Sequence, residues 1–474
     1  MRIVIIGGGP GGYSAAFEAA RLGAEVTLVE AENLGGTCLN WGCIPTKTIL
    51  CSARIAWDTR NAEEFGLRVH PADVDIERLM ERKEGIVEDL RSQIEAMAAR
   101  LKVNVLRGRG RLVGPKSVEV ILAEGITETL EADAIILATG SVVFKLPNID
   151  HSLEGVWTSD EAVSLVELPR RIVIIGGGAI GLEFACAYSS FGSEVSVVEL
   201  TPTVLPGNDK RVTRVIQDSL ERMGVTFHMG VSALTVEEGD GRVMTTTLSD
   251  GAVLESDIVM SAVGRMPNST GLDVQAVGLE MDRAAVKVDE HFRTNVPGVF
   301  AIGDLIGGMM LAHVADEEGV AAARNAVRSY DFAEAEGLLA KLTHLTHLES
   351  VDYSCIPACV YTFPEVGVVG SSRDSAKERG LDVVQAVSKF TANGLALGEG
   401  EADGFVQMVA EKGTGRIVGC QIVGPHAVEI IHEVALAMRH KLTVRDIAET
   451  VHAHPTVSEV VKLAALDAAE KCGV

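Results

Sequence analysis

Aromatic side chains make up only 4% of this 474-residue sequence, cysteine occurs eight times, and 42 lysines and arginines face 66 aspartates and glutamates. Each scarcity excludes something. A formal net charge of −24 argues against nonspecific binding to nucleic acid or to an anionic membrane, both of which require clustered cations. Eight cysteines in so long a chain are not the dense disulfide framework of a small secreted domain. No apolar run reaches membrane-spanning length, since the longest, around 172–187, contains Glu183 and several glycines. The chain opens MRIVIIGGGP, a strand from its second residue, which leaves no room for a signal or transit peptide; a cytoplasmic address is expected. His344 and His347 lie in an acidic connection over 331–350 with no further ligand set beside them, so no metal site is expected.

What is present in quantity is glycine, 49 residues, within a globular composition that is 47% hydrophobic. Length alone gives roughly three domains. Residues 2–6 (RIVII) read as a buried strand, 13–22 as the helix that follows, and 25–29 (EVTLV) as a second strand ending on Glu30. Between strand and helix, Gly7, Gly9 and Gly12 form the G-x-G-x-x-G pattern. Strand, glycine turn, helix, strand and terminal acid together describe a dinucleotide-binding unit. The glycines let the backbone approach a pyrophosphate at the helix N-terminus, and Glu30 takes the ribose hydroxyls. The unit recurs: RIVII at 171–175, then Gly176, Gly178 and Gly181, then EVSVVE ending on Glu199, with the same glycine-to-acid interval. A 2′-phosphate would want an arginine and be repelled by a carboxylate. Glu199 is followed by LTPTVLPG, without a basic residue, so the second unit is expected to prefer NAD over NADP.

Between the two units lies GGTCLNWGCIPTK, residues 35–47, with Cys38 and Cys43 five residues apart. Five helical residues rise about 7.5 Å, whereas a disulfide needs its Cα atoms within roughly 7 Å. A regular helix cannot hold this pair bonded; a bridge would require bent backbone and would be of the easily reduced kind. Spacing alone leaves two readings open, that bridge or two thiols packed as small hydrophobes. Further along, helical spacing covers 86–101, IILATGS (135–141) and IVMSAVGRMPN (258–268) read as strands entering turns, and 312–329 reads as a helix. From Ile356 the texture changes to strands near 359–370, 383–389 and 404–423 and helices near 427–440 and 458–470. The expectation is an α/β chain with two Rossmann-like dinucleotide-binding domains and a C-terminal α+β dimerisation domain. Boundaries fall at 1–150 and 271–350 (the two parts of the first domain), 151–270, and 351–474.

Two dinucleotide units, a CxxxxC pair after the first and this C-terminal domain together resemble the pyridine nucleotide–disulfide oxidoreductases. The motifs that carry the resemblance are GGTCLNWGCIPTK, GGGAIGLEFA (176–185), AIGD (301–304), MLAHVADEEG (310–319), IPACVYTFPE (356–365) and HAHPTVSE (452–459). Within the family they are most similar to the members acting on dihydrolipoyl groups. The resemblance implies FAD in the first unit and NAD in the second, on opposite faces of the flavin. It implies a redox-active Cys38–Cys43 disulfide, with Cys43 against the flavin and Cys38 facing substrate. His454 and Glu459 of the partner subunit of a homodimer would complete the site, and Lys47 and Glu183 would pair beside the flavin. Gly36, Thr37, Lys47, Gly110, Thr139, Gly140, Ser141, Asp304, Met310, Leu311, Ala312 and His313 would contact FAD, and Gly264 would lie by NAD. The implied partner is a lipoylated carrier protein, of a 2-oxoacid dehydrogenase or glycine-cleavage complex. The alternative is another NAD(P)H-dependent disulfide reductase, acting on glutathione, mercuric ion or a CoA disulfide.

Histidine titrates nearest neutrality and suits a base for a dithiol substrate. Glu459 has a second reading, since Thr456-x-x-Glu459 is also a capping box. Cys51, Cys186, Cys355, Cys359 and Cys420 are expected to be structural thiols, and Cys472 stands single. Trp41, where the family usually has a small aliphatic residue, and Phe363, where it usually has histidine, depart from the pattern.

Overall fold

The computed structural model describes residues 1–334 and 348–474, so most of the expected 331–350 connection, with His344 and His347, lies outside the described residues. Contacts group the chain into two units, each drawn from three stretches. One unit comprises Met1–Thr46, Met80–Phe144 and Gly264–Val351. The other comprises Lys47–Leu79, Lys145–Val263 and Asp352–Val474.

In the first unit, β1 (Arg2–Ile6) lies at the centre of a parallel five-stranded sheet. Its neighbours are β2 (Glu25–Glu30), followed by β3 (Asn104–Arg107), on one side and Ala134–Leu137, followed by Val299–Ala301, on the other. Ile3 to Ile6 are at most 3% exposed, as expected for a strand covered on both faces and therefore continuously apolar. α1 (Pro10–Arg21) starts with proline in its first turn, where the missing N–H costs nothing. It packs on the helix Ala312–Glu334 through small residues, with Ala15, Ala19, Ala322 and Ala323 fully buried. The long helix α4 (Ile76–Arg100) begins ten residues before the expected 86. The Asp75 carboxylate accepts the Arg78 N–H at 2.9 Å and caps the extra turns.

The second unit contains the repeat. Arg171–Ile175 occupies the centre of its own parallel sheet, beside Glu194–Glu199 and Ile258–Ser261. The correspondence extends to individual bonds. Arg2 pairs with Glu25 as Arg171 pairs with Glu194, and the Gly7 and Gly176 N–H groups each donate to the end of the next strand at 2.8 Å. A Cβ on Gly12 would stand 1.8 Å from the Gly7 carbonyl oxygen and one on Gly181 2.0 Å from that of Gly176, so only glycine permits these helix–turn contacts. The C-terminal stretch forms an antiparallel five-stranded sheet in the order Pro357–Val360, Glu365–Gly370, Ile417–Gly424, Phe405–Glu411, Val383–Lys389. The expected runs 359–370 and 404–423 are thus each a pair of strands broken by a turn. The helices Ala427–Arg439 and Glu459–Cys472 cover this sheet with alanine and β-branched side chains. No helix among the described residues is long and apolar enough to cross a membrane.

Candidate functional site

The stretch 35–47 is two helices with a break between them. α2 (Gly36–Asn40) carries Cys38 at its middle, and α3 (Cys43–Arg60) opens on Cys43. Trp41, at φ −137° and ψ 2°, ends the first helix, and Gly42 follows. The bent backbone expected from the cysteine spacing is this break. Cys38 is half-buried and Cys43 exposed, and Cys51, two turns further along α3, is also exposed rather than packed as expected.

The break is seated on the first glycine turn. The Gly35 N–H donates to the Gly8 carbonyl at 2.8 Å, and a Cβ on Gly36 would come within 2.7 Å of the Gly9 Cα. Burial pushes the Tyr13 phenol on α1 up to about 12, with the Asp316 carboxylate and the nearby Cys38 adding to the effect. Thr37, Cys38 and the first turn therefore share one small region. α1 begins on Gly9 without a side-chain hydrogen bond at its cap. Its first N–H groups and positive dipole end suit a pyrophosphate. Glu30, at the end of β2, accepts the Gly8 N–H at 2.6 Å and the Glu32 N–H at 2.7 Å. Glu199 does the same with Gly177 at 2.6 Å and Thr201 at 2.7 Å. Both carboxylates are thereby aimed at their glycine turns, where a ribose would stand.

Other expected residues form a second cluster in the first unit. Ser141 hydrogen-bonds Asp304, and the Thr139 hydroxyl donates to the Asn268 carbonyl at 2.7 Å. Gly140, at φ +67°, turns the chain between them, and Gly110 packs on Ile6. Gly303, beside Asp304, donates its N–H to buried Glu318 at 2.7 Å. Met310 and Leu311 lead into the helix that begins with Ala312 and His313. Gly264, at φ +115°, accepts the Phe144 N–H at 3.0 Å. One residue here was missed from sequence. Arg265 donates from Nε to the Ser141 hydroxyl and from Nη2 to the Ser141 carbonyl, both at 2.8 Å, and approaches the Thr37 hydroxyl at 3.4 Å.

The second unit holds the remaining expected pairs. Lys47 Nζ lies 2.7 Å from Glu183 Oε2. The carboxylate is 5% exposed and the ammonium 30%, so this pair is only half desolvated. Tyr361, also missed, completes it: its N–H donates to Glu183 Oε1 at 3.0 Å, and its ring lies 4.4 Å below Lys47 Nζ. Cys359, near the same group, has its thiol pushed up to about 11 by burial and then by Glu365 and Glu429. Burial pushes Cys186 up to about 12. Both therefore remain neutral thiols at neutral pH and are poor nucleophiles. Phe363 receives the Arg54 guanidinium over its ring at 4.9 Å.

His454 and Glu459 meet. His454 Nδ1 is 3.0 and 3.2 Å from the two Glu459 carboxylate oxygens, and the imidazole is 80% exposed. Glu459 Oε2 also accepts the Thr456 N–H at 2.9 Å. That is half of the anticipated capping box, because the Thr456 hydroxyl instead donates to the Ala453 carbonyl at 2.8 Å. The Thr456 N–H, and after it His454, hold the Glu459 carboxyl below its ordinary value. Neighbouring His452 is buried and anchored, with Nε2 3.0 Å from Glu433 and Nδ1 3.1 Å from the Thr450 carbonyl. Geometry thus separates the two histidines that spacing could not. Among the described residues no group of three or more His, Cys, Asp or Glu side chains could hold a metal ion.

Residues 1–319 match the pyridine nucleotide-disulphide oxidoreductase family and residues 356–465 its dimerisation domain. The mitochondrial dihydrolipoyl dehydrogenase of Dictyostelium discoideum is 39% identical, over 99% of this chain and 94% of that protein. The dihydrolipoyl dehydrogenase of Haloferax volcanii is also 39% identical, over 98% of this chain and 96% of its own. The crystal structure of LpdA from Mycobacterium tuberculosis superposes with a TM-score of 0.88 at 28% identity, covering 98% of this chain and 99% of that one.

Proposed function

The chain belongs to the pyridine nucleotide–disulphide oxidoreductases, and we propose that its work is to return dihydrolipoyl groups to the disulfide with NAD+ as acceptor. It is an FAD-containing, NAD-dependent oxidoreductase. The observation that carries the proposal is the seat of the Cys38–Cys43 break on the first glycine turn, through Gly35 and Gly36. That turn fits the FAD pyrophosphate, with Gly7, Gly9 and Gly12 beside it and Glu30 for the ribose. Thr37, Gly110, Thr139, Gly140, Ser141, Asp304 and 310–313 would hold the rest of the cofactor. Gly176, Gly178, Gly181 and Glu199 would hold NAD, with Gly264 beside it. On this reading 1–150 and 271–350 form the FAD domain, 151–270 the NAD domain, and 351–474 the interface of a homodimer.

One substrate thiolate attacks the Cys38 sulfur of the Cys38–Cys43 disulfide, and Cys43 leaves as thiolate. The second substrate thiolate then attacks the substrate sulfur of that mixed disulfide, releasing Cys38 and closing the lipoyl ring. His454 of the partner subunit takes a substrate thiol proton on Nε2, its Nδ1–H being held by Glu459. When bound, FAD would supply the two-electron chemistry that links the enzyme dithiol to NAD+. Lys47, paired with Glu183 and resting on Tyr361, would present a fixed cation to the bound flavin. The substrate is a lipoyl group on a carrier protein of a 2-oxoacid dehydrogenase or glycine-cleavage complex, met in the cytoplasm. Replacing Cys43 by Ser should abolish dihydrolipoamide turnover and leave FAD bound, read by steady-state NADH production and flavin absorbance. Undiminished turnover would sink the mechanism.

A further inference from the structure

The Cys38 turn is tied to a distant helix by bonds that none of the roles above uses. Asn40, the last residue of α2, is 8% exposed. Its amide nitrogen donates to the Leu34 carbonyl at 3.1 Å and the Gly36 carbonyl at 2.9 Å. Its amide oxygen accepts from two nitrogens of Arg91 on α4, Nη2 at 2.8 Å and Nε at 3.2 Å. The remaining guanidinium nitrogen, Nη1, meets Glu88 Oε2 at 2.6 Å, one turn earlier on α4. Asn40 therefore closes the turn around Cys38 back onto residues 34–36, which are themselves seated on Gly8 and Gly9. Arg91 fastens that closed turn to a 25-residue helix. The planar fork of arginine suits this two-point grip on one oxygen, which a lysine ammonium cannot reproduce.

The two cysteines stand on supports of different stiffness. Cys43 is the first residue of an 18-residue helix, whereas Cys38 sits in a five-residue one. Five residues are far below the length at which a helix persists unaided, so tertiary bonds fix the Cys38 turn. We propose that Arg91, acting through Asn40, is a positioning residue that sets where Cys38 stands relative to Cys43 and so sets the dithiol–disulfide equilibrium of the pair. This rests on the redox reading of the pair given above. With the grip in place the bridge must form across a restrained break, and restrained bridges are the more easily reduced. Releasing the grip lets the short turn adjust to the S–S bond, which stabilises the disulfide; the dithiol has no such geometry to satisfy.

The test equilibrates the FAD-loaded protein in mixtures of reduced and oxidised dithiothreitol. Enzyme disulfide and reduced dithiothreitol exchange two electrons and two protons to give enzyme dithiol and oxidised dithiothreitol. The state of Cys38 and Cys43 is read by alkylation and peptide mass. Arg91→Met should shift the equilibrium constant toward the disulfide by about tenfold, about 30 mV for this two-electron couple. Arg91→Lys, which keeps the charge and one donor, should shift it about threefold in the same direction. A midpoint equal to that of the wild type, or shifted toward the dithiol, overturns the proposal even if the melting temperature falls, since a merely structural role would lower only the latter. If Arg91→Met does not fold, the Arg91→Lys midpoint decides alone. A wild-type pair that shows no reversible transition overturns the redox reading and the proposal together, whereas a normal wild-type transition with unmoved variants overturns the proposal only.

Discussion

Glu459 answers to two donors at once, the Thr456 N–H at 2.9 Å and the His454 ring at 3.0 Å. Its carboxyl is held below the ordinary value, which is about 4.3. A depressed carboxyl is ionised throughout the neutral range, and what its charge contributes is lost only as pH falls through that lowered value. An acid limb of activity near neutrality therefore belongs to a group other than Glu459. Glu459→Gln should lower kcat with dihydrolipoamide by about tenfold, a fraction of what a positioned base supplies, read by steady-state NADH formation. An unchanged kcat would exclude this role for Glu459. At this scale the sequence was readable wherever backbone chemistry demands one residue type. The glycines at 7, 12, 176 and 181 and the acids at 30 and 199 stand where their motifs put them. Arg91, Arg265 and Tyr361 were illegible, because each acts on a residue remote in the chain: Asn40, Thr37 and Lys47. No periodicity or spacing encodes such a pairing.

Two short strands, Ser141–Val143 and Arg265–Pro267, pair antiparallel on either side of the stretch 145–263, which the contacts assign to the other unit. Arg265 ties the two strands of this ribbon together through two bonds to Ser141, and the ribbon meets the rest of its unit through the approach of Arg265 to Thr37 and the bond from Ser141 to Asp304. Hydrogen bonds to a charged donor contribute about 1.5–3 kcal/mol each. Arg265→Met should weaken FAD retention by about tenfold or more, since about 1.4 kcal/mol is a factor of ten. Dialysis followed by the ratio of flavin to protein absorbance measures it, and full retention would exclude this role. Elements were legible to the extent that they were apolar or periodic, which covers both glycine-flanked strands and the helices at 312 and 427. The ribbon was not, since strands of three residues carry too few side chains for alternation to register. Helix starts were also misplaced, because caps such as Asp75 lie outside the apolar pattern.

At the scale of the molecule, Cys38 and Cys43 belong to one unit and His454 and Glu459 to the other. The stretch 356–465 matches a dimerisation domain, and the imidazole of His454 is 80% exposed in the single chain. An imidazole left that open suits the proposed role of a base in a site completed across a two-fold axis, where each protomer would lend its histidine to its partner. Mixing two inactive variants separates this arrangement from one in which every site is made by a single chain. In a hybrid of Cys43→Ser with His454→Gln, one site receives both defects and the other receives neither. Random reassortment makes about half of the dimers hybrid, so about a quarter of the wild-type sites should return, and with them about a quarter of the turnover. If each protomer built its own site, every site in every dimer would keep one defect, and turnover would stay at the level of the unmixed variants. Unfolding and refolding the two variants together with FAD, then assaying NADH formation from dihydrolipoamide, distinguishes the two outcomes.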